Sequence, residues 1–336
     1  MKRLAAGVLG GVLLAGGAAG CASARSAAPA PAAAAARTPS PSPSGPASEA
    51  PVKASAKAPA TGTATAPSAA VVDLATLSGG WPRAQSLLLT ATDRLDTQCL
   101  RAAGFPVPEL PPEQLSAPED TAATVDLPGR RRYGYGIATP YPQSPPPAAQ
   151  TYAQTLSGSR ATAFAAAQFG AGRPETTVGL LGVATVSVPT QGCVARSRAR
   201  LAGSVTAWAR LYYIPQQVET ALDGQARTDP RYLAAQSAWS RCMAARGRSY
   251  PGPDAAVQAL TARYKAGGGT AAFRREEVAV AVADGQCAAS VRLPQTRLAV
   301  DRALVPRLPS AELAVLASLA ADQAGAVARA TQLNPL

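Results

Sequence analysis

The segment Trp239-Ser-Arg-Cys242-Met-Ala-Ala-Arg-Gly247-Arg-Ser-Tyr-Pro251 combines a cysteine with the signals that end a helix. It predicts a helix that ends at Gly247, because glycine is favoured where a chain leaves a helix with positive φ, and the proline beyond it prevents continuation. About one helix later, Ala283-Asp-Gly-Gln-Cys287 supplies a second cysteine. We expect the two cysteines to be disulfide partners that join two helices.

The same register occurs earlier in the chain, in Gln98-Cys99-Leu-Arg-Ala-Ala-Gly104-Phe-Pro-Val-Pro108. Both stretches have Cys followed by Leu or Met, then Ala at +3, Gly at +5 and Pro at +9, and each precedes a second cysteine that lies close behind a glycine. We interpret the repeat as a degenerate internal duplication of about residues 84–213 and 228–330. The alternative is a chance resemblance between two ordinary helix ends.

The N-terminus predicts export. Met1-Lys-Arg3 is a short basic region, residues 4–19 form an apolar run, and Ala18-Ala-Gly-Cys21 resembles a bacterial lipobox, whose cysteine receives diacylglycerol. Residues 1–20 are therefore predicted to be a lipoprotein signal peptide, with Cys21 as the lipidated mature N-terminus. Leucine is usual where Ala18 stands, so cleavage after Ala24 and free secretion is the alternative.

A linker is predicted from residue 21 to residue 70. Its composition is dominated by Ala, Pro, Ser, Thr and Gly, which cannot bury enough apolar area to offset the entropy of ordering. Such a chain of flexible and polyproline-II segments spans on the order of 50 to 100 Å. We expect it to lift residues 71–336 from the outer face of the cell membrane into the cell-wall zone.

Residues 71–336 are predicted to form a mainly all-α, disulfide-stapled domain with a minor β-hairpin. The hairpin is expected within 176–188, and prolines predict a long loop over 106–147. Hydrophobic periodicity and cap residues predict a first helix between an entry at 79–82 and a stop at Gly104, with periodic residues over 88–102. Further helices are predicted over 148–156, 161–169, 194–212 (ended by Pro215), 216–225, 230–247, 255–264 (capped by Asp254), 271–291 (capped by Thr270) and 310–327.

The number and spacing of the cysteines predict two disulfides, which is the firmest chemical inference from the sequence. The chain has five cysteines, and four remain once Cys21 carries the lipid. Four cysteines allow three connectivities, of which the duplication favours Cys99 with Cys193 and Cys242 with Cys287. None of the four lies in a C-x2-4-C pair, and an oxidising compartment favours disulfides, so neither a metal nor a cofactor is expected.

Histidine is absent from the sequence, which excludes Ser-His-Asp and Cys-His catalysis and imidazole zinc ligands. A carboxylate-dependent cell-wall glycosidase remains as the enzymatic alternative, with Asp284 and the pair Glu276 and Glu277 as candidates. The competing interpretation is that these carboxylates pair with arginines on helix surfaces. We expect no enzymatic activity.

The net charge of +12 suggests anionic partners. Lipid headgroups, phosphorylated wall glycans and stray nucleic acid are the polyanions outside a cell, although no nucleic-acid-binding motif is present. The candidate anion-binding residues are Arg130, Arg131, Arg132, Tyr133 and Tyr135, which could supply bidentate contacts and ring faces. The alternative is an ordinary exposed arginine-rich loop.

The lipobox-like signal, the Ala/Pro linker and the patterns Trp239-x2-Cys242-Met-x3-Gly247 and Ala283-Asp-x2-Cys287 together resemble a group of secreted actinobacterial lipoproteins. The resemblance covers the C-terminal 150 or so residues best, and residues 104–148 lie outside it. It implies a surface-anchored protein but no activity. The expected function is therefore a non-enzymatic envelope-binding or interaction domain, with the glycosidase and a polyanion-binding module as alternatives.

Overall fold

The protein is mainly α-helical with one two-stranded antiparallel hairpin, as the sequence predicts. The computed structural model describes residues 66–109, 120–142 and 146–333, so the signal peptide, Cys21 and most of the predicted linker lie outside it. In chain order the elements are α1 (Ala69–Thr76), α2 (Trp81–Ala102), α3 (Leu127–Tyr133), α4 (Ala148–Ala153), α5 (Gly158–Phe169), β1 (Glu175–Leu180), β2 (Ala184–Pro189), α6 (Gly192–Ala202), α7 (Val205–Ala226), α8 (Pro230–Ala244), α9 (Pro253–Gly267), α10 (Ala271–Ser290), α11 (Leu293–Leu304), a 3-10 turn (Val305–Arg307) and α12 (Ser310–Leu333).

Local signals set several of these boundaries as predicted. Asp229 caps α8 by accepting a hydrogen bond from the Arg231 amide, and Thr270 caps α10 by accepting one from the Phe273 amide. Gly104 and Gly247 follow the ends of α2 and α8 with φ of 89° and 71°. The residues that define the repeated motif therefore end both helices in the left-handed region, where glycine is favoured.

Other boundaries differ from the prediction. The stripe over 194–212 is divided between α6 and α7, because the chain breaks at Gly203 and Ser204 caps α7. Pro215 does not end a helix but lies inside α7, where it is buried beside Ile214. A proline inside a helix costs about 3 kcal/mol, and here packing against the core offsets that cost.

Three helices were missed, and the start of a fourth was predicted wrongly. The proline-rich segment contains α3, whose Pro128 occupies the first turn, where a missing amide hydrogen does no harm. Gly252 rather than Asp254 is the cap residue of α9. The helices α1 and α11 were not predicted, and α1 begins two residues inside the segment assigned to the linker.

The buried apolar side chains form three groups. The main core joins α1, α2, the hairpin, α6, α7, α11 and α12. The motif core joins α8, α9 and α10 around Trp239, and α11 bridges these two cores because Leu293 lies in the motif core and Val300 in the main core. A satellite core around Phe105 and Phe164 joins the end of α2 to α4, α5 and the start of α6.

Both predicted disulfides are present. Cys99 pairs with Cys193 and Cys242 pairs with Cys287, with Cα–Cα distances of 5.6 and 5.7 Å. The first joins α2 to the N-terminal end of α6, whereas the second joins α8 to the C-terminal end of α10. The two halves of the proposed duplication agree at α2 and α8, which carry the first cysteine of each pair near their C-terminal ends. They differ at the partner helices, because Cys193 lies at the start of α6 and Cys287 near the end of α10.

Helix α12 is the one helix among the described residues that is long and apolar enough to cross a membrane, by length and composition alone. One face of it packs into the main core through Leu316, Leu319, Ala326 and Ala330. Core helices of soluble proteins pass the same test.

Candidate functional site

The arginine-rich segment of the sequence forms a loop that packs on α10. We call residues 126–141 the docked loop. Its first part is α3, which begins where the Asp126 carboxylate accepts a hydrogen bond from the Gly129 amide. Beyond α3 the chain turns at residues 134–138 and lies against two buried carboxylates of α10, Glu277 and Asp284.

Glu277 binds the turn of the docked loop through its carboxylate. Oε1 accepts hydrogen bonds of 2.9 and 2.8 Å from the amides of Tyr135 and Ile137, and Oε2 accepts one of 3.0 Å from the amide of Ala138. The side chain is 1% exposed. A buried charge is costly unless it is fully hydrogen-bonded, and here three backbone donors stabilise it.

Asp284 lies two helical turns further along α10 and binds three side chains. Oδ2 forms an ion pair with Arg130 and accepts a 2.9 Å hydrogen bond from the Tyr135 hydroxyl. Oδ1 accepts a 2.8 Å hydrogen bond from the indole of Trp239. Arg130 also donates a 3.0 Å hydrogen bond to the Ala281 carbonyl. Burial raises the pKa of Tyr135, and the neighbouring Asp284 raises it further, so its hydroxyl stays protonated as a donor.

Gly285 permits the close approach of the docked loop to α10. A Cβ atom at this position would lie 2.8 Å from Cδ of Arg130 and 2.8 Å from Cδ2 of Leu127. Such distances are too short for carbon atoms in contact, so only glycine fits without displacement of the loop. Gly285 is part of the motif around Asp284, but its role is to leave room for a segment about 155 residues earlier in the chain. Neighbouring residues in the sequence could not predict that role.

The structure separates the five candidate anion-binding residues. Arg130 is 7% exposed and engaged with Asp284, and the Tyr135 hydroxyl faces the same carboxylate, so neither is available to a ligand. Arg131 and Arg132 are exposed on α3. The guanidinium of Arg132 lies over the ring of Tyr133, which in turn packs against Tyr141.

The three candidate catalytic carboxylates are all engaged in structural contacts. Glu277 and Asp284 are buried with the partners given above. Glu276 lies closer to the surface, where Arg263 binds it through two nitrogen atoms and holds its pKa below the usual range. A glycosidase needs two carboxyl groups that face a sugar across an open cleft. Only Glu276 matches the competing interpretation of an arginine pair on a helix surface, because Asp284 pairs with its arginine in the interior and Glu277 binds backbone amides.

Two further acidic clusters lie in the helical interior and were missed from sequence. Arg297 of α11 bridges Asp223 of α7 and Asp301 of its own helix. On α2, burial and the nearby Asp96 together raise the pKa of Asp93 to about 6. The first cluster joins α7 to α11, which are distant in sequence, and the burial of the second depends on tertiary packing around α2, so no local motif signalled either cluster.

Within residues 66–109, 120–142 and 146–333, no group of three or more His, Cys, Asp or Glu side chains could hold a metal ion. No protein-family model, no curated protein and no solved structure matches the chain.

Proposed function

We propose that this chain is an exported lipoprotein, held at the outer face of the cell membrane through Cys21, whose helical domain binds an envelope component without catalysis. Two disulfides support the exported location, because such bonds persist in oxidising compartments and are rare in the cytosol. The lipobox-like sequence that ends at Cys21 supports the anchor. Secretion after cleavage at Ala24 is the alternative.

The observation that carries the non-enzymatic part of the proposal is the occupation of Glu277 and Asp284. Both carboxylates are nearly inaccessible, and their lone pairs are directed to the docked loop and to Trp239. Without histidine in the chain, carboxylates are the main remaining source of general acids and bases. Two of the three candidate catalytic carboxylates therefore hold the docked loop, and the third, Glu276, pairs with Arg263.

A fixed loop is suited to binding. Arg131 and Arg132 project from α3, whose position on α10 is set by the ion pair of Arg130. Pre-ordering of a binding segment reduces the conformational entropy lost on association. Guanidinium groups bind phosphate and carboxylate in bidentate fashion, so the ligand class that this surface favours is an anionic polymer of the envelope.

The anchor is tested with the full chain expressed in a bacterium that processes lipoproteins. We expect the wild type to be labelled by an alkyne-bearing fatty acid and to sediment with membranes, whereas Cys21→Ala is unlabelled. An unlabelled wild-type protein whose mature sequence begins at Arg25 would establish free secretion instead.

Binding is tested with the mature chain and a purified phosphate-bearing wall polymer. We expect binding that weakens steeply with salt and that falls in the double variant Arg131→Gln/Arg132→Gln. The matched control is Arg83→Gln/Arg200→Gln, which removes two exposed charges from α2 and α6 and leaves α3 unchanged. Equal loss of binding in both variants would show that only net charge matters, and release of reducing sugar from the polymer would support the glycosidase.

A further inference from the structure

The two disulfides differ in their electrostatic surroundings. Cys193 is the second residue of α6, where free backbone amides favour negative charge. Its partner Cys99 and both cysteines of the other disulfide, Cys242 and Cys287, lie within the last four residues of their helices. Helix C-terminal ends disfavour negative charge. Only one of the four sulfur atoms is therefore placed where a helix stabilises a thiolate.

An arginine adds to this difference. Nη2 of Arg196 lies 2.9 Å from Sγ of Cys99 and 3.4 Å from Sγ of Cys193, so one cation contacts both sulfur atoms of the same bond. Among the described residues, no cationic side chain donates a hydrogen bond to the sulfur of Cys242 or Cys287, and Arg246, four residues beyond Cys242, binds Gln286 instead. Thiolates next to arginine and at helix N-termini are stabilised relative to thiols, which makes the corresponding disulfide easier to reduce.

We propose that Cys99–Cys193 is a thiol–disulfide exchange site for an extracytoplasmic dithiol, whereas Cys242–Cys287 is an inert structural cross-link. Sequence alone favours a structural role for both pairs, because the contact of Arg196 with the sulfur atoms is formed only in the folded chain. The proposal does not depend on the lipid anchor or on the ligand of the docked loop.

Burial decides which sulfur is attacked. Cys193 is fully buried in the satellite core, whereas Cys99 is partly exposed at its edge. A thiolate of the dithiol attacks Sγ of Cys99, the S–S bond breaks, and its electron pair leaves on Sγ of Cys193 as a thiolate. This leaving group is the sulfur at the N-terminal end of α6, and stabilised leaving thiolates depart faster.

The second step completes the exchange. The second thiolate of the dithiol attacks the dithiol sulfur that is bonded to Cys99. The bond between that sulfur and Cys99 breaks, and Cys99 leaves as a thiolate. The dithiol is oxidised to a disulfide, Cys99 and Cys193 are reduced by two electrons, and the two protons of the dithiol are taken up by the two cysteines. No other oxidant or reductant is needed.

The fold tolerates the opening of this bond. Leu88 and Leu95 of α2 and Leu201 of α6 lie in the main core, so both helices stay packed without the covalent link. Ser197 also donates a 2.6 Å hydrogen bond to Asp96, which joins the same two helices. Cys193 lies in the satellite core, which is smaller than the motif core that contains Cys287. Reduction of Cys99–Cys193 should therefore loosen the satellite core and leave the rest folded.

The test is timed reduction of the mature full-length protein with dithiothreitol, followed by alkylation and peptide mapping. We expect Cys99–Cys193 to open roughly tenfold faster than Cys242–Cys287, which serves as the internal reference. Arg196→Ala should slow the opening of Cys99–Cys193 roughly threefold, and Arg196→Lys should slow it less. The matched control is Arg200→Ala, an exposed arginine one turn further along α6 that should leave the rate unchanged.

The direction of the rate change in Arg196→Ala distinguishes an electrostatic role of Arg196 from a role in packing. A variant that merely loosened the site would expose the bond and accelerate reduction, whereas the proposal requires slower reduction. Equal rates for the two disulfides, faster opening of Cys242–Cys287, or an Arg196→Ala rate that is unchanged or increased would each overturn the proposal.

Discussion

The indole of Trp239 donates a 2.8 Å hydrogen bond to the carboxylate of Asp284, one helical turn before the disulfide between Cys242 and Cys287. Both pairs are separated by 45 residues in sequence. Because the pairing advances by three residues in both helices, α8 and α10 run parallel where they meet. The spacings W-x2-C and A-D-x2-C thus describe one interface, in which a polar contact and a covalent bond lie on the same face.

Loss of the charge on Asp284 should destabilise the protein strongly. Asp284→Asn leaves Arg130 as an unpaired buried cation, which costs about 3–5 kcal/mol in the free energy of unfolding. The measurement is chemical denaturation of the oxidised protein. The control Asp322→Asn, at an exposed position of α12, should change the free energy by less than about 0.5 kcal/mol. An Asp284→Asn protein as stable as the wild type would show that the ion pair contributes nothing to folding.

Gly285→Ala should destabilise the protein although alanine is the better helix former. The added Cβ lies 2.8 Å from side-chain carbon atoms of Arg130 and Leu127, and overpacking of this kind costs about 1–3 kcal/mol. The matched control is Gly224→Ala in α7, where no atom lies within 4 Å of the added carbon. There the substitution should stabilise the protein by up to about 1 kcal/mol. The two variants are compared by thermal and chemical unfolding, and a Gly285→Ala variant that is also stabilised would show that the loop moves freely.

Local chemistry predicts much of this fold. Cap residues, helix-ending glycines and the alternation of the hairpin are read from neighbours in sequence, so α2, α8, α10 and both strands were predicted close to their observed bounds. The disulfide pairing followed from a repeated motif. The prediction of one helix over 194–212 was wrong, because the apolar periodicity continues across the break between α6 and α7 at Gly203 and Ser204.

The candidate site was only partly predictable. The sequence singled out the arginine–tyrosine segment and the carboxylates of α10 separately, but not that they bind each other. Their contacts join residues about 140 to 154 positions apart, such as Ile137 with Glu277 and Arg130 with Asp284. Patterns of periodicity and capping carry no information at that range, so the same residues were assigned to a ligand or to catalysis.

Glu277→Gln should release the turn of the docked loop. The amide group that replaces one carboxylate oxygen is a donor, so it cannot accept hydrogen bonds from the backbone amides it faces. An unsatisfied buried donor costs about 1–3 kcal/mol. We expect faster cleavage within 134–138 by a broad-specificity protease, with the rest of the chain resistant. The control Glu312→Gln in the first turn of α12 should leave cleavage unchanged, and equal resistance of Glu277→Gln would contradict the role of the carboxylate.

Stability should rise as the pH falls from about 7 to about 5. In the folded protein, burial raises the pKa of Asp93 from 3.8 to about 6, and the pKa of Asp301 also rises to about 6 through burial. Between these pH values the folded state binds more protons than the unfolded state, and the free energy of unfolding therefore increases as pH falls. The carboxylates with lowered pKa values, Asp223, Asp229 and Glu276, oppose this trend below about pH 5, where the unfolded state begins to bind their protons.

The variant Asp93→Asn isolates the contribution of Asp93 to the pH dependence of stability. This substitution removes a desolvated charge that lies near Asp96, so we expect a higher Tm than the wild type at pH 7.5 and a smaller rise between pH 7.5 and pH 5. The rise that remains belongs to Asp96, whose pKa is also raised by burial, and to Asp301. Asp322→Asn serves again as the exposed control and should keep the full rise. A wild-type Tm that falls between pH 7.5 and pH 5 would mean that these carboxylates are solvated in the folded protein, because only desolvation gives the folded state its greater affinity for protons.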